Sequence, residues 1–331
     1  MIHEFLSDPN WINPQIDYLL WLQNIRMHSS QIFETIFLYI TRLGELYIPT
    51  IVMALIYWCI DSETGIYLFA LNACGLWLSK ISKMAACVYR PWVLSDKIHP
   101  AQAAIKMAKG YSFPSGHTLM ATTTWGGLAF VLRKHKIICA LLVILVLLIG
   151  FSRNYVGVHT PQDVLCSLFI GLFLIFAVYY LLKWCTKNKN RYLYLLPVID
   201  ILGIITLLYI IFKPYPADYV NGKLLVDPKG AIYIAVLYMG WILGILNGLF
   251  LSKRFFPFDA QKGSLKFKIT SGLVGIILLG IICAATENYL FASDRSFVVV
   301  FGLMFVIGLF ITAIYPYILT KLQNKTVKSE D

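Results

Sequence analysis

The chain has 331 residues, of which 59% are hydrophobic and 14% charged, and its formal net charge is +11. Because an average soluble domain has about 25% charged residues, this composition argues against a water-soluble fold and indicates a protein whose solvent is the bilayer. The Lys and Arg residues are scattered between apolar segments and form no continuous basic stripe, which argues against nucleic-acid binding.

The first 30 residues lack the basic region, short apolar run and cleavage site of a signal peptide. Their apolar residues recur at helical spacing, which predicts an amphipathic helix lying at the membrane interface. The residues of this pattern are Trp11, Ile12, Ile16, Leu19, Leu20, Leu22 and Ile25.

Long apolar runs separated by short polar spacers then predict a polytopic all-α bundle with nine transmembrane helices. The predicted spans are residues 46–60, 64–82, 117–132, 137–152, 164–183, 192–212, 231–252, 267–286 and 296–320. The first is shorter than the roughly 20 residues that a span needs, so it must borrow from the segment with Arg42 and Glu45. No flexible linker interrupts the chain, which predicts one membrane domain over residues 1–331.

Basic residues mark alternate connections between these spans. They cluster after the third, fifth and seventh spans and in the tail, at residues 133–136, 183–191, 253–268 and 321–328. Because Lys and Arg are retained on the cytoplasmic side, we expect a cytoplasmic C-terminus and an outside N-terminus, in the cell membrane. The connection with Asp61 and Glu63 carries no cation and gives this orientation no support.

Three polar clusters lie where predicted spans end: residues 83–91 (KMAACVYRP), 111–117 (YSFPSGH) and 152–163 (SRNYVGVHTPQD). The alternating direction of the spans brings all three to one membrane face, which is the outer one. Ionisable groups at such depth are costly unless they pair or line a wet cavity. The clustering therefore predicts a functional site.

The residue types in these clusters suit a phosphate group. Lys83, Arg90 and Arg153 have no acid nearby in sequence and can hold a doubly charged anion, with the guanidinium forks binding oxygens bidentately. Ser115 offers a hydroxyl, and Gly116 allows close approach to the amides that begin the third span. We expect these five residues to form a phosphate cradle.

Two histidines, His117 and His159, provide nucleophilic and acid–base chemistry. Asp163 follows His159 by four residues and can accept its ring N–H, which leaves the other nitrogen free to attack phosphorus. The residues alone do not decide which histidine is the nucleophile. No group of acids or histidines has metal-ligand spacing, so neither a metal nor a cofactor is expected.

Each cluster alone also has an ordinary structural explanation. Lys83 and Arg90 could extend from a helix end toward the membrane surface. The segment 160–163 (TPQD) suits a helix start with Pro at the first position. The functional interpretation depends on the whole set.

The order and spacing of the clusters resemble the three-part signature of the type 2 phosphatidic acid phosphatase superfamily: Lys, six residues, Arg-Pro; Pro-Ser-Gly-His; Ser-Arg, five residues, His, three residues, Asp. No signature position is substituted. The resemblance implies a metal-independent membrane phosphatase, with His159 as nucleophile, His117 as general acid and a phosphohistidine intermediate. It also implies a catalytic core at residues 46–183 and additional transmembrane helices at 184–331.

We therefore expect a phosphoric monoester hydrolase whose substrate is a lipid phosphate or diphosphate, because a lipid head group can reach such a site by lateral diffusion. Three alternatives stay open. They are a phosphotransferase using the same intermediate, a sugar-phosphate phosphatase resembling glucose-6-phosphatase, and a transporter that binds phosphate without catalysis. Intact His117, His159 and Asp163 argue against the transporter, because binding an anion requires only cations.

Overall fold

The computed structural model of the chain describes residues 6, 8–105, 108, 110–188, 190–220, 223–290 and 296–328. Nearly all of this part is helical, which confirms the all-α prediction. The described residues contain one pair of short antiparallel strands, β1 (Tyr219–Val220) and β2 (Lys223–Leu224), in which Tyr219 lies opposite Leu224.

The first half of the chain forms helices α1 (Pro9–His28), α2 (Gln31–Arg42), α3 (Tyr47–Leu55), α4 (Ser62–Ala86), α5 (Pro91–Leu94), α6 (Gln102–Ile105), α7 (Gly116–Ala121), α8 (Gly127–Val131) and α9 (Lys136–Tyr155). A π-helical turn, Ile56–Ile60, extends α3, and another, Thr122–Gly126, joins α7 to α8. Such π-turns are often found at functional sites.

The second half forms α10 (Pro161–Thr186), α11 (Asn190–Phe212), α12 (Pro228–Phe255), α13 (Leu265–Leu290), α14 (Phe297–Leu309) and α15 (Tyr315–Lys328). A third π-turn, Phe310–Ile314, joins α14 to α15. The two strands lie in the connection between α11 and α12.

Six helical segments of the described chain are long and apolar enough to cross a membrane: α9, α10, α11, α12, α13 and residues 297–324. A seventh is formed if α2 and the helix Tyr47–Ile60, bent by 48° to each other, count as one span. This pair contains the segment from which the first predicted span was expected to borrow.

Nine membrane spans are thus not confirmed. The predicted span 64–82 lies within α4, which has 25 residues but carries Asn72, Ser79 and Lys80 among its apolar side chains. The predicted span 117–132 lies in the helix formed by α7, the π-turn and α8, and this helix is too short to count as a membrane span by its length. Both segments are helical, but α4 is not apolar enough and the α7–α8 helix is not long enough to be identified as a membrane span by these features.

The N-terminal amphipathic pattern forms helix α1. Asp8 caps its start by accepting a hydrogen bond from the Asn10 backbone N–H at 2.8 Å, and Pro9 occupies the first turn. Four residues of the pattern are buried in a cluster with Ile98, Tyr155, Val156 and Val158; they are Ile12, Ile16, Leu19 and Leu22. Trp11, Trp21, Ile25 and Met27 of this helix stay exposed. Its location at the membrane interface stays a prediction.

The described chain divides into two compact units. One contains the residues up to Pro49 together with Leu78–Ile175 and Ile210–Ile234, and the other contains Thr50–Trp77, Phe176–Tyr209 and the residues from Ala235 onward. All eight predicted site residues lie in the first unit.

The second unit is held by close helix contacts. A Cβ atom on Gly308 would lie 2.7 Å from the Ile245 nitrogen, so only glycine lets α14 approach α12 this closely. Trp58 Nε1 donates to the Ile311 carbonyl at 3.0 Å, and Tyr57 Oη donates to the Thr312 carbonyl at 3.2 Å. These bonds satisfy the polar atoms of two fully buried aromatic side chains.

Candidate active site

Lys83 lies in the last turn of α4, where its ammonium group binds the second cluster. Its Nζ donates to the carbonyl oxygens of Tyr111, Ser112 and Pro114, at 3.2, 2.7 and 2.6 Å. The three donors of the ammonium group are thus directed at the backbone that leads into Ser115. Lys83 therefore fixes the position of the second cluster relative to α4.

Arg90 follows a sharp turn at the end of α4. Cys87 adopts a left-handed conformation with φ of 52°, and its N–H donates to the Lys83 carbonyl at 3.0 Å, which is a common way to end a helix. The buried guanidinium of Arg90 then donates through Nε to Gly110 O at 3.1 Å and through Nη1 to Val158 O at 3.0 Å. Arg90 thereby connects the first cluster to the third and to Gly110, the residue before the second cluster.

Ser115 begins the helix α7. Its Oγ accepts hydrogen bonds from Thr118 N at 3.4 Å and Thr118 Oγ1 at 2.9 Å, while its backbone N–H donates to Asp163 O at 3.0 Å. A Cβ atom on Gly116 would lie 3.7 Å from Ser79 Oγ and 4.0 Å from Lys83 Cε. Gly116 therefore leaves a small open space beside the lysine side chain.

Arg153 lies in the last turn of α9 and is 1% exposed. Its Nη1 donates to Thr41 Oγ1 on α2 at 2.6 Å, and its buried Nε has no hydrogen-bond partner among the described residues. The next residue, Asn154, donates from Nδ2 to the His159 carbonyl at 2.9 Å. This bond closes the loop that carries His159.

The ring of His159 lies between an acid and a cation. Nδ1 is 3.1 Å from Asp163 Oδ2, and Nε2 is 2.9 Å from Arg90 Nη1. A guanidinium can only donate, so Nε2 accepts and Nδ1 carries the proton that it donates to Asp163. The geometry therefore selects the neutral tautomer with the proton on Nδ1 and the lone pair on Nε2.

Asp163 also starts helix α10. Its Oδ2 accepts from the Thr160 backbone N–H at 3.0 Å and from Ser112 Oγ at 2.5 Å, in addition to His159. The carboxylate thus caps the helix and orients the histidine at the same time. The helix start and the contact with His159, which the sequence suggested for this segment, thus both involve the side chain of Asp163.

Positive charge exceeds negative charge within this site. The charges that act on Lys83 are those of Arg90, Lys80 and Arg153, with Asp163 as the acid. Burial lowers the pKa of Arg90 to about 10, partly offset by Asp163. Burial, and then the cations Arg90, Lys83 and Arg153, hold the pKa of His159 well below its usual value. Such a site favours an anionic ligand.

His117 lies in the first turn of α7, and its buried Nε2 faces Glu45 Oε1 at 3.8 Å. Glu45 and Thr41 come from the N-terminal part of the chain and were not among the predicted site residues. Ser112 and Asn154 were also missed, although both lie inside the polar clusters. Their polarity within an apolar chain was the signal that could have found them.

Among the described residues, no group of three or more His, Cys, Asp or Glu side chains could hold a metal ion. A cavity of about 410 Å³ opens beside Arg90. Its lining includes Trp92, Gly110, Asp227 and Ile234. The cavity is thus mostly apolar, with Arg90 as its connection to the cationic site.

Two family models match the chain. The PAP2 superfamily matches residues 63–187, which include all three polar clusters, and the PAP2 superfamily phosphatase transmembrane extension matches residues 236–327. The eight predicted site residues all lie within the first match.

Three named relatives are similar to this region. Phosphatidylglycerophosphatase B of Bacillus subtilis (strain 168) is 32% identical over 99 residues, covering 28% of this chain and 48% of the relative. An undecaprenyl-diphosphatase of Sulfolobus acidocaldarius is 31% identical over 114 residues, covering 34% of this chain and 53% of the relative. The undecaprenyl-diphosphatase BcrC of Bacillus subtilis is 30% identical over 156 residues, covering 46% of this chain and 76% of the relative. The match spans about half the length of the first two relatives.

Proposed function

The chain belongs to the PAP2 superfamily, and from this premise we propose that it is a membrane phosphatase. It hydrolyses a lipid phosphate or lipid diphosphate through a phosphohistidine intermediate. The observation that carries the proposal is the hydrogen bonding of His159: Asp163 accepts from Nδ1, and the unprotonated Nε2 faces the cation of Arg90.

In the first step, Nε2 of His159 attacks the phosphorus atom as the bond from phosphorus to the leaving oxygen breaks. Arg90 Nη1 releases Nε2 and binds a phosphoryl oxygen instead. The imidazolium that forms keeps its Nδ1 proton on Asp163, whose charge stabilises it. His117 gives its proton to the leaving oxygen, so that the departing group is a neutral alcohol or a lipid monophosphate.

In the second step, the now neutral His117 takes a proton from water. The resulting hydroxide attacks phosphorus, the bond from phosphorus to Nε2 breaks, and inorganic phosphate leaves. Both histidines then have their starting protonation. Charge spreads over the equatorial phosphoryl oxygens in both transition states, which the fixed cations stabilise.

The roles within the cradle differ. Arg90 and Arg153 bind phosphoryl oxygens, whereas Lys83 contributes mainly its charge, because its donors hold the loop before Ser115. The start of α7 at Ser115 and Gly116 presents further backbone amides. The reaction uses no metal, since the cations supply the charge that a metal ion would otherwise provide.

In the membrane, we propose nine spans, with α4 and the α7–α8 helix completing the set. The charge bias of the connections supports an outer active site, an outside N-terminus and a cytoplasmic C-terminus in the cell membrane. Residues 46–183 form the catalytic core, and residues 184–331 add transmembrane helices.

The relatives are named for phosphatidylglycerol phosphate and undecaprenyl diphosphate, so these two lipid classes are the first substrates to test. The cavity beside Arg90 is mostly apolar, which fits a substrate with a lipid part. Membrane lipids surround the protein.

The test is release of inorganic phosphate by purified protein from both lipids and from glucose 6-phosphate, with EDTA present. We expect turnover of a lipid substrate that EDTA does not change and that His159→Ala abolishes. Preference for glucose 6-phosphate, loss of activity in EDTA that magnesium restores, or transfer of phosphate to an added alcohol as the main reaction would each contradict a part of the proposal. No turnover of any substrate would contradict the proposal as a whole.

A further inference from the structure

The two histidines differ in the support that the family signature gives them. His159 has Asp163 as its hydrogen-bond acceptor, but no signature residue plays this part for His117. The buried Nε2 of His117 makes no hydrogen bond within the described structure. The acid that it faces is Glu45, whose Oε1 lies 3.8 Å away.

Glu45 lies in a tight break between α2 and α3. The break is closed by hydrogen bonds from Gly44 N to Thr41 O and from Glu45 N to Arg42 O, both 3.0 Å long. A Cβ atom on Gly44 would lie 2.7 Å from the His117 carbonyl oxygen, so glycine is required for this approach.

A second contact holds the same break in place. Trp125, in the π-turn between α7 and α8, donates from Nε1 to the Leu43 carbonyl at 2.8 Å. The backbone at Leu43 and Gly44 thus contacts the helix of His117 at two points, and Glu45 is carried along with it. The pairing of Glu45 with His117 is therefore a product of the fold.

The carboxylate is unsatisfied as well. Glu45 Oε1 is buried and has no hydrogen-bond partner among the described residues. A buried polar atom without a partner is destabilising, and here two such atoms face each other. A closer approach of less than about 1 Å would give an ordinary N–H···O hydrogen bond and would satisfy both atoms.

Cations surround the pair. Arg42 and Arg153 act on Glu45, and the groups that act on His117 are Arg153, Arg90, Lys83 and Lys80. Arg153 thus acts on both members of the pair. Among these cations, Glu45 is the acid that the ring of His117 faces.

We propose that Glu45 is a positioning residue for His117, as Asp163 is for His159. This inference rests on the proposed function. The carboxylate accepts the Nε2–H of His117 and stabilises its imidazolium form, so that Nδ1 gives its proton to the leaving oxygen. After that transfer the neutral ring keeps Nε2–H on Glu45, and Nδ1 accepts the proton of the attacking water. Protons balance over the cycle, and Glu45 stays ionised.

The test compares Glu45→Gln with the parent chain. Glutamine keeps the size but removes the charge, so the imidazolium loses its carboxylate. We expect kcat on a lipid phosphate to fall by at least about tenfold, since general acid–base catalysis contributes about 10²–10⁴-fold. The basic limb of the kcat/KM profile should move to lower pH by about 1 unit or more. An aryl phosphate with a good leaving group should form phosphoenzyme at nearly the parent rate.

The matched control is Glu34→Gln. Glu34 lies on α2, is partly buried and pairs with Arg26 at 3.5 Å, away from His117. The Glu34→Gln variant should change neither the basic limb of the kcat/KM profile nor the difference in rate between the lipid phosphate and the aryl phosphate. Thermal unfolding of both variants separates a loss of fold from a loss of the pairing.

A second measurement does not need activity. With 15N-labelled histidine, and His117 assigned through His117→Asn, the titration midpoint of His117 should fall in Glu45→Gln and stay fixed in Glu34→Gln. An unchanged midpoint in Glu45→Gln overturns the inference even if the phosphatase activity is established. A shifted midpoint in a chain that hydrolyses no phosphate ester supports the pairing and contradicts the proposed function.

Discussion

Asp163 Oδ2 lies 3.1 Å from His159 Nδ1, one turn earlier in the chain, and the same oxygen accepts from the Thr160 backbone N–H. One carboxylate therefore starts α10 and fixes the tautomer of the histidine. Because the opposite ring nitrogen faces Arg90, this pairing places the lone pair of His159 on Nε2.

The protonation of His159 gives a prediction about pH. Its pKa is lowered by burial first and then by Arg90, Lys83 and Arg153. A lowered pKa keeps the ring neutral as pH falls through about 6.5, the ordinary value, so the nucleophile is lost only in more acidic solution. Histidine NMR should find the His159 midpoint below about 6.5, and Arg90→Gln should raise it. A midpoint at or above the ordinary value would be inconsistent with this site.

The close approach at Gly44 gives a second prediction. Gly44→Ala places a Cβ atom 2.7 Å from the His117 carbonyl and 2.9 Å from Ile149 Cγ2, so the break must move. We expect destabilisation of about 1–3 kcal/mol and a lower kcat. Gly280→Ala is the control, because a Cβ atom there meets nothing within 4 Å. Equal effects of the two substitutions on unfolding and on turnover would count against this packing.

Lys213 gives a third prediction. It precedes β1, and its Nζ donates to the carbonyls of Met84 and Ala85, at 2.6 and 2.8 Å, where α4 ends before Arg90. A cation at a helix C-terminus contributes about 0.3–1 kcal/mol. Lys213→Ala should lower stability by about this amount and reduce kcat/KM, because the turn that carries Arg90 loses support. The exposed Lys229→Ala should do neither, and denaturant unfolding with steady-state assays measures both effects.

The orientation gives a fourth prediction. In a chain freed of its native cysteines, Asp96→Cys, in an exposed stretch between the first two clusters, should react with an impermeant thiol reagent applied outside intact cells. Lys134→Cys, exposed between α8 and α9, should react only after the cells are opened. The reverse pattern would place the active site in the cytoplasm.

The sequence was enough to find the residues whose chemistry is unusual in an apolar chain. The structure brings Lys83, Arg90, His159 and Asp163 together, in line with their positions at the ends of predicted helices. The three-residue gap from His159 to Asp163 allowed the contact between them to be predicted, because it is local, whereas the contact of Asp163 with Ser112 is not.

Contacts between distant segments could not be predicted in this way. Thr41 reaches Arg153, and Glu45 faces His117, only because the chain bends between α2 and α3. Nothing in the local pattern indicates where that bend points. Lys83 is similar: its charge was evident, but its three hydrogen bonds depend on the path of the backbone before Ser115. The span predicted at 64–82 lies in a helix, α4, but stays a prediction because α4 carries polar side chains along its length.

The proposed reaction depends on covalent phosphorylation of His159. Rapid quenching in alkali of enzyme mixed with 32P-labelled lipid phosphate, followed by peptide mapping, measures this directly. We predict acid-labile, alkali-stable phosphate on His159, and none in His159→Ala. When the substrate has a good leaving group, this phosphoenzyme should accumulate further in His117→Ala. Phosphate found on His117 instead, or labelling that persists in His159→Ala, would show that His159 is not the nucleophile.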